Sequence, residues 1–214
     1  MGVTQQNKQN KLSAYLLFKK YAKIPFMKEI TDLIEKRAEN FKLLKSQENN
    51  IVLAADMVLS ALKNGNKIFF CGNGGSASDS NHLAAEFISK FKLERKSLPA
   101  ISLCANNSII TAIANDYDFE KIFSRQIEGL GKSNDILIGI STSGKSKNVL
   151  NAFEQAKKQG LKTIFLTGQN KSNAFVDLEI NAPSEITAEI QEMHIAIGHI
   201  IAELVEKELS DTLT

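Results

Sequence analysis

Five short apolar runs, each continuous rather than alternating with polar residues, restrict the fold of this chain more than any other feature. They lie at 67–71, 99–103, 136–140, 163–166 and 176–180, and helical stretches separate them. Strands that are apolar on both faces belong to parallel sheets covered by helices, because only such sheets bury both faces. The sequence therefore predicts an α/β fold, with a five-stranded parallel sheet between two layers of helices.

Apolar residues at helical spacing predict two helices before the first strand and a long one after the last. The terminal helices are predicted at 27–45, 50–63 and 185–209, and those between the strands at about 77–91, 108–114, 119–130 and 145–159. The last helix is apolar nearly all round. A helix of that kind is buried in a core or against another subunit.

The charge distribution argues against a nucleic-acid-binding protein. The chain carries 26 Lys and Arg against 24 Asp and Glu, but residues 1–25 hold five lysines and no acid, so the rest carries 21 against 24. A nucleic-acid-binding body would show its positive excess in the folded part. We interpret 1–25 as a poorly ordered N-terminal extension and 26–214 as one domain.

Neither a membrane protein nor a secreted one is expected from this sequence. No apolar run approaches the roughly 20 residues that a spanning helix needs, and no leader pattern opens the chain. Two cysteines are too few for a disulfide framework. We therefore expect a cytoplasmic protein.

Two loops at predicted strand ends have the composition of ligand-binding loops. Cys71-Gly-Asn-Gly-Gly-Ser-Ala77 follows the first strand, where glycines let a ligand approach the main chain. Ile140-Ser-Thr-Ser-Gly-Lys-Ser146 follows the third strand, where hydroxyl and backbone donors at a helix N-terminus suit a phosphate. The simpler alternatives are a tight turn for the first loop and helix capping by Ser143 or Ser146 for the second.

Histidines and acids on two helices suggest metal or acid–base chemistry. His82 and Glu86 are four residues apart, so they lie on one helix face and could hold a divalent metal or act as an acid–base pair. The alternative is an ordinary exposed face. The last helix carries Gln191, His194 and His199, and a buried His there could equally make a structural hydrogen bond.

Taken together, these segments resemble the sugar isomerase (SIS) family, and most closely its phosphoheptose isomerases. The resemblance covers about residues 27–209. The matching stretches are the first loop with His82 and Glu86, Ala114-Asn-Asp-Tyr117, Phe123-Ser-Arg-Gln126, Gly139-Ile-Ser-Thr-Ser-Gly-Lys-Ser146, Leu166-Thr-Gly168 and Ile190-Gln-Glu-Met-His-Ile195.

The resemblance implies an aldose–ketose isomerase that converts sedoheptulose 7-phosphate to D-glycero-D-manno-heptose 7-phosphate through an enediol. That reaction opens the synthesis of nucleotide-activated heptose for lipopolysaccharide or capsule. The implied catalytic base is Glu86 and the implied acid is His199. One zinc ion per site is implied, with His82, Glu86, Gln191 and His199 as its ligands. The implied substrate contacts are Asn73, Gly74, Gly75, Ser76, Glu86, Asn106, Ser141, Thr142, Ser143, Ser146 and Gln191.

Two departures from the family pattern bear on the substrate. Asn106 stands where the family usually has a sugar-contacting Asp, and Lys90 stands where an Arg is common. An isomerase for another sugar phosphate is therefore one alternative. The other is a non-catalytic adaptor of the bacterial DnaA-associating type, in which the Glu and final His positions are typically replaced.

The spacing of Gln191 and His199 predicts a site shared between subunits. Eight residues separate their backbones by roughly 12 Å along a helix, which is awkward for two ligands of one ion. We therefore expect either a ligand from a neighbouring copy of the helix or one that is not bound to the metal, with His194 in reserve. The family resemblance implies a homotetramer.

Overall fold

The computed structural model describes residues 26–170 and 172–210, without the side chain of residue 210. The predicted extension, 1–25, lies outside the described residues, and its boundary with the domain stays a prediction. The chain divides into two compact units, one ending at Lys42 and the other beginning at Leu43. The sheet and both candidate loops belong to the second unit.

Every predicted strand is present, within about two residues of its predicted bounds. The strands are β1 (Ile68–Gly72), β2 (Ala100–Ser102), β3 (Ile136–Ser141), β4 (Lys162–Thr167) and β5 (Leu178–Asn181). The helices are α1 (Met27–Leu44), α2 (Glu48–Lys63), α3 (Gly75–Ile88), α4 (Asn107–Asp116), α5 (Ser124–Leu130), α6 (Lys147–Lys158) and α7 (Thr187–Ser210). Short 3₁₀ segments lie at Lys45–Gln47 and Phe119–Lys121.

Two predicted helices differ from the observed ones at a defined point. The helix predicted over 119–130 divides into a 3₁₀ turn and α5, and the side chain of Asp118 caps that turn by accepting from the Glu120 N–H. The helix predicted over 77–91 ends at Ile88. There the Arg95 guanidinium donates hydrogen bonds to the carbonyl oxygens of Phe87 and Ser89, and the helix ends.

The sheet is parallel throughout, in the order β2-β1-β3-β4-β5, which confirms the predicted architecture. The chain moves to one side of β1 to form β2 and to the other side to form β3. A crevice therefore opens between the carboxyl ends of β1 and β3, which is where ligands bind in sheets of this topology. Gly72 pairs with Ile140 across this point, so the two candidate loops begin side by side.

Alternate residues of each strand enter two separate cores, as a three-layer αβα arrangement requires. Phe70 and Ile138 belong to the core shared with α2, α3 and α7. Phe69 and Leu137 belong to the opposite core, shared with α5 and α6. Gly139 lies against the Phe153 ring and Val149 of α6, and a Cβ there would collide with both.

No helix within residues 26–170 and 172–210 is both long and apolar enough to cross a membrane.

Candidate active site

The first loop joins β1 to α3 with a backbone that only glycine adopts easily. Gly74 has φ +55°, a left-handed value that strains any residue with a Cβ. Gly75 opens α3 directly against the side-chain amide of Gln191, and a Cβ on residue 75 would collide with that amide. The loop is therefore more than a tight turn, because its glycines also admit a side chain from α7.

The second loop gathers its hydroxyl groups instead of using them to cap α6. The Ser141 Oγ lies 2.9 Å from the Ser146 Oγ and 3.4 Å from the Ser143 Oγ. Ser146 occupies the N-cap position of α6 but makes no side-chain capping bond, and Ser143 accepts only from the nearby Lys145 N–H, at 3.2 Å. The capping alternative is thus not observed. Converging hydroxyls at the start of a helix suit an anion.

A pair of asparagines holds the two loops together, and only one of them, Asn73, could be selected from the sequence. Asn73 Nδ2 donates to Asn148 Oδ1 at 2.9 Å, and Asn148 Nδ2 donates back to Asn73 Oδ1 at 2.8 Å. Asn148 is buried in the first turn of α6. An Asn near a helix start has no distinctive sequence pattern, so only the parallel pairing of β1 with β3 identifies its partner.

Three ionisable side chains from α3 and α7 converge on one another. The Nε2 atoms of His82 and His199 lie 2.9 Å apart, and His82 Nε2 lies 3.2 Å from Glu86 Oε1. One ligand atom from each of the three falls within 4.8 Å of the others. The group is accessible, since the His82 side chain is half exposed and that of Glu86 about one-fifth.

Close packing of the two helices explains this convergence. A Cβ on Gly198 would collide with the side chain of Leu83, so α7 approaches α3 closely one residue away from each histidine. Because Gln191 meets Gly75 and His199 meets His82, the two helices run side by side in the same direction. A single chain brings His199 to His82 and Glu86, so this histidine needs no neighbouring copy to reach them. The alternative that one predicted ligand does not bind the metal stays a prediction.

The environment of the cluster changes the pKa of its histidine on α7. Partial burial lowers the pKa of His199, and His82 lowers it further, while the Glu86 carboxylate acts in the opposite direction. One turn before His82, burial raises the pKa of Asp79 against the opposing effect of His82. Asp79 Oδ2 is buried and has no hydrogen-bond partner within the described residues.

The remaining candidate residues lie around the same edge of the sheet. Gln191 packs at Gly75, about 10 Å along α3 from His82, so its place among the metal ligands stays a prediction. Asn106 is exposed after β2 and caps α4, accepting from the Ile109 N–H. Ser76 is buried beneath the first loop. Thr142 is half-buried, and its carbonyl lies against Gly168, where a Cβ would collide with it.

His194, the reserve ligand, lies away from this group and has a structural role. The side chain is fully buried, and its Nε2 lies 2.9 Å from the carbonyl oxygen of Thr167 at the end of β4. The alternative of a structural hydrogen bond is therefore the one observed. Lys90, the second departure from the family pattern, pairs with Glu94 on the surface.

The donor set of the three-residue cluster fits a divalent transition metal. Two imidazole nitrogens that face each other leave at most one proton between them, and a carboxylate stands beside the pair. Imidazole and carboxylate are ligands that zinc accepts in catalytic sites with three protein ligands. The structure thus supports a metal-binding group at His82, Glu86 and His199.

Comparison with known proteins agrees with this geometry. The sequence profile described as SIS domain matches residues 26–168. The chain is 48% identical over 174 residues to a phosphoheptose isomerase of Akkermansia muciniphila, covering 80% of this chain and 92% of that one. It is 50% identical over 185 residues to a phosphoheptose isomerase of Thermodesulfovibrio yellowstonii, covering 83% and 92%.

A solved structure gives the same result for the fold. The phosphoheptose isomerase from Francisella tularensis superposes with a TM-score of 0.81 at 34% identity, covering 86% of this chain and all of that one. The similarity in sequence and in fold therefore extends over nearly the full length of these relatives. The chain belongs to the SIS-domain family and, within it, to the phosphoheptose isomerases.

Proposed function

We propose that this protein interconverts sedoheptulose 7-phosphate and D-glycero-D-manno-heptose 7-phosphate. The observation that carries the proposal is the cluster of His82, Glu86 and His199 on α3 and α7, since α3 begins at the crevice between β1 and β3 where the hydroxyl-rich loop also begins. Aldose–ketose exchange moves a proton between C1 and C2 of the sugar, so it needs a base, an acid and stabilisation of the enediolate charge. The cluster supplies candidates for all three.

Glu86 is the proposed base and His199 the proposed acid. A carboxylate on the accessible side of α3 can remove the proton from the substrate carbon, and an imidazole can exchange a proton with the neighbouring oxygen near neutral pH. Partial burial and the neighbouring His82 lower the pKa of His199, which makes its protonated form a stronger acid. Gln191, whose side-chain amide lies against Gly75 at the start of α3, is proposed to contact the sugar and to serve as a further metal ligand.

The loop that contains Ser141, Thr142, Ser143 and Ser146 is the proposed phosphate site. The short contacts between its hydroxyl oxygens show donors that converge on one region without being consumed by capping. The asparagine pair keeps this loop next to the first loop, where Asn73, Gly74, Gly75 and Ser76 are proposed to hold the sugar chain. Asn106 is proposed to contact the sugar from the end of β2.

Zinc is the proposed metal, one ion in each site, held by His82, Glu86 and His199 with Gln191. When bound, such an ion polarises the substrate oxygens and stabilises developing negative charge. Two facing imidazole nitrogens and a carboxylate support this choice, since zinc is well served by nitrogen and oxygen ligands together.

A homo-oligomer, with four copies as the family resemblance implies, is proposed for the assembly. Support comes from large apolar side chains that one copy leaves exposed on α7 and α1. They are Ile200, Leu204, Ile30, Leu33, Ile34 and Phe41. Sedimentation equilibrium measures the mass directly, and a monomer at micromolar concentration would contradict the assembly.

The function is tested by an isomerisation assay that compares the wild-type protein with a variant that lacks the proposed base. Sedoheptulose 7-phosphate is incubated with the protein in D₂O, and the aldose product and its deuterium content are followed by NMR. We expect product from the wild-type protein and at least a thousandfold loss in Glu86→Gln, while Glu128→Gln, on the exposed face of α5, stays near wild type. An active Glu86→Gln protein would rule out this base.

The same assay separates the alternatives. Hexose and pentose phosphates test another substrate class, because a preference for either would assign the site to a different sugar. An adaptor would leave every sugar phosphate unchanged. The intact cluster favours the enzyme, since both the Glu and the final His are present and adjacent.

A further inference from the structure

A buried ion pair lies behind the active site, between the loop that follows α3 and the C-terminal half of α7. Arg95 Nε donates to Glu206 Oε1 at 2.9 Å, and each side chain is only 2% exposed. Most ion pairs elsewhere among the described residues are on the surface, such as Lys92 with Glu203 at 57% and 50% exposure. An ion pair with both side chains buried adds little net stability, because the cost of desolvating the two charges offsets most of their mutual attraction. Its presence here therefore calls for another explanation.

Arg95 forms hydrogen bonds with the C-terminal end of α3, the helix that carries Glu86. Its Nη2 donates to the carbonyl oxygen of Glu86 itself at 2.7 Å, and its Nη1 donates to the carbonyl oxygens of Phe87 and Ser89 at 2.9 and 3.2 Å. A third Nη1 contact, at 3.1 Å, reaches the Lys96 carbonyl. The carbonyls of Glu86 and Phe87 are among the last four that a helix leaves without intrahelical partners, so the guanidinium binds the end of α3 and fixes its last turn.

Glu206, on α7, binds the backbone of the loop that follows α3. Its two carboxylate oxygens accept from the backbone N–H groups of Phe91, Lys92 and Leu93 at 2.9, 2.7 and 2.9 Å. Burial alone would raise the pKa of Glu206, but these three donors and Arg95 outweigh it and hold the pKa below its usual range. The carboxylate is therefore charged and fully bonded.

The same loop also touches the catalytic cluster. The Phe91 ring packs against the His199 ring with 5.3 Å between centroids, and the His82 ring lies 5.1 Å from His199 on the other side. Glu206 lies seven residues after His199, two turns along the same face of α7. The ion pair thus connects to Glu86 through a backbone carbonyl and to His199 through both a helix and an aromatic contact.

We propose that Arg95 and Glu206 are positioning residues, which hold α3 and α7 at the spacing that brings Glu86 and His82 to His199. This inference rests on the proposed function, since it assigns the pair a role in that site. Neither residue touches the substrate. Their effect is on the geometry of the ligand atoms, where partners behind the ligands typically change metal affinity 10- to 100-fold.

The experiment compares Arg95→Lys and Glu206→Gln with a matched control at a buried carboxylate that bonds neither α3 nor α7. Asp135 is also a buried carboxylate, bonded to Lys67 Nζ at 2.7 Å and to the backbone N–H groups of Lys67 and Lys132. Asp135→Asn therefore removes a similar buried charge whose bonds reach neither α3 nor α7. Each full-length protein is titrated with Co²⁺ after chelation, and the absorption of the bound ion is recorded.

The positioning role predicts a specific set of changes. In Arg95→Lys and Glu206→Gln, the Co²⁺ dissociation constant rises about tenfold or more and the spectrum of the bound ion changes. The kcat falls about tenfold or more, while KM, set mainly by the phosphate loop, stays within about twofold. Asp135→Asn loses stability but keeps the wild-type spectrum, Co²⁺ affinity and kcat. Wild-type Co²⁺ affinity and kcat in the Arg95 and Glu206 variants would overturn the proposal.

A double variant keeps the inference testable if single substitutions prevent folding. Arg95→Met with Glu206→Leu removes both charges at once, which often leaves a buried site stable. A folded double variant with weakened Co²⁺ binding supports positioning, and one with wild-type binding refutes it. Failure of the proposed function would instead appear as a wild-type protein that binds Co²⁺ but leaves the sugar phosphate unchanged, and the Co²⁺ titrations would still test the pair.

Discussion

Acid should destabilise this protein well before its carboxylates titrate, because of one buried imidazole. His194 is fully buried in α7, its Nε2 donates to the Thr167 carbonyl, and its Nδ1 has no hydrogen-bond partner within the described residues. Protonation would place a second N–H on Nδ1 in an apolar core. Burial accordingly lowers the pKa of His194 from 6.5 to about 4, although the bond to Thr167 acts in the other direction.

The sign and size of the effect follow from the two states of the chain. As the pH falls below 6.5, the unfolded chain binds a proton at His194 and the folded chain does not, so the free energy of unfolding decreases. The stabilisation is complete above pH 6.5 and is lost progressively down to about pH 4. Two pH units correspond to ~2.7 kcal/mol at 1.36 kcal/mol each, so we expect a loss of that order between pH 6.5 and 4.5.

The assay is urea unfolding at a series of pH values, with a chelator present so that metal binding does not contribute. His194→Gln is the matched variant, because its amide can still donate to the Thr167 carbonyl but does not titrate. The wild-type free energy of unfolding should fall from pH 7 to pH 4.5 by ~2.7 kcal/mol more than that of the variant. Subtracting the variant also removes the contribution of His199, whose pKa is lowered in the same direction.

Parallel curves for the two proteins would refute this reasoning. That outcome would mean that Nδ1 has an acceptor in solution, such as an ordered water, which stabilises the protonated ring. A steeper loss confined to pH values below 4.5 would also count against it. In that range the carboxylates Asp135, Asp177 and Glu206 titrate instead, since each has a lowered pKa in the folded state.

Three further outcomes are expected. Ser146→Ala should raise KM about 10- to 150-fold with little change in kcat, as lost hydrogen bonds to a charged group contribute about 1.5–3 kcal/mol each, and unchanged kinetics would contradict the phosphate site. Mixing inactive Glu86→Gln with inactive His199→Ala protein under subunit exchange should restore no activity, because one chain supplies both groups; recovered activity would show that they act across an interface. A chain that begins at Met27 should keep the activity and thermal midpoint of the full protein, as measured by the isomerase assay and by calorimetry, and a loss of either would show that the removed residues stabilise the fold.

The sheet could be predicted from the sequence because each strand is marked locally. Runs such as 136–140 are apolar on both faces, and their order along the chain predicts a covered parallel sheet without any long-range information. Helix ends were predicted less well where a distant side chain decides them. The end of α3 is set by Arg95, whose contact with the Glu86 carbonyl spans nine residues and leaves no periodic pattern.

The site was predictable in its residue types but not in its geometry. The spacing of His82 and Glu86 and the family resemblance pointed to the cluster, while the separation of Gln191 from His199 suggested either a second chain or a residue that does not bind the metal. An argument from α7 alone could not foresee the packing of Gly198 against Leu83, which brings His199 to His82 within one chain. Asn148 and Arg95 were missed for a similar reason, because each acts through partners that only the folded chain brings near.

The pairing of α3 with α7 makes the order of synthesis matter for the chemistry. His82 and His199 are 117 positions apart, and β5, the last strand, ends at Asn181. A chain that stops after β5 therefore contains every strand of the sheet but lacks the histidine that completes the cluster. We expect metal binding to begin only after the last helix docks, so that clipped or stalled chains are catalytically silent.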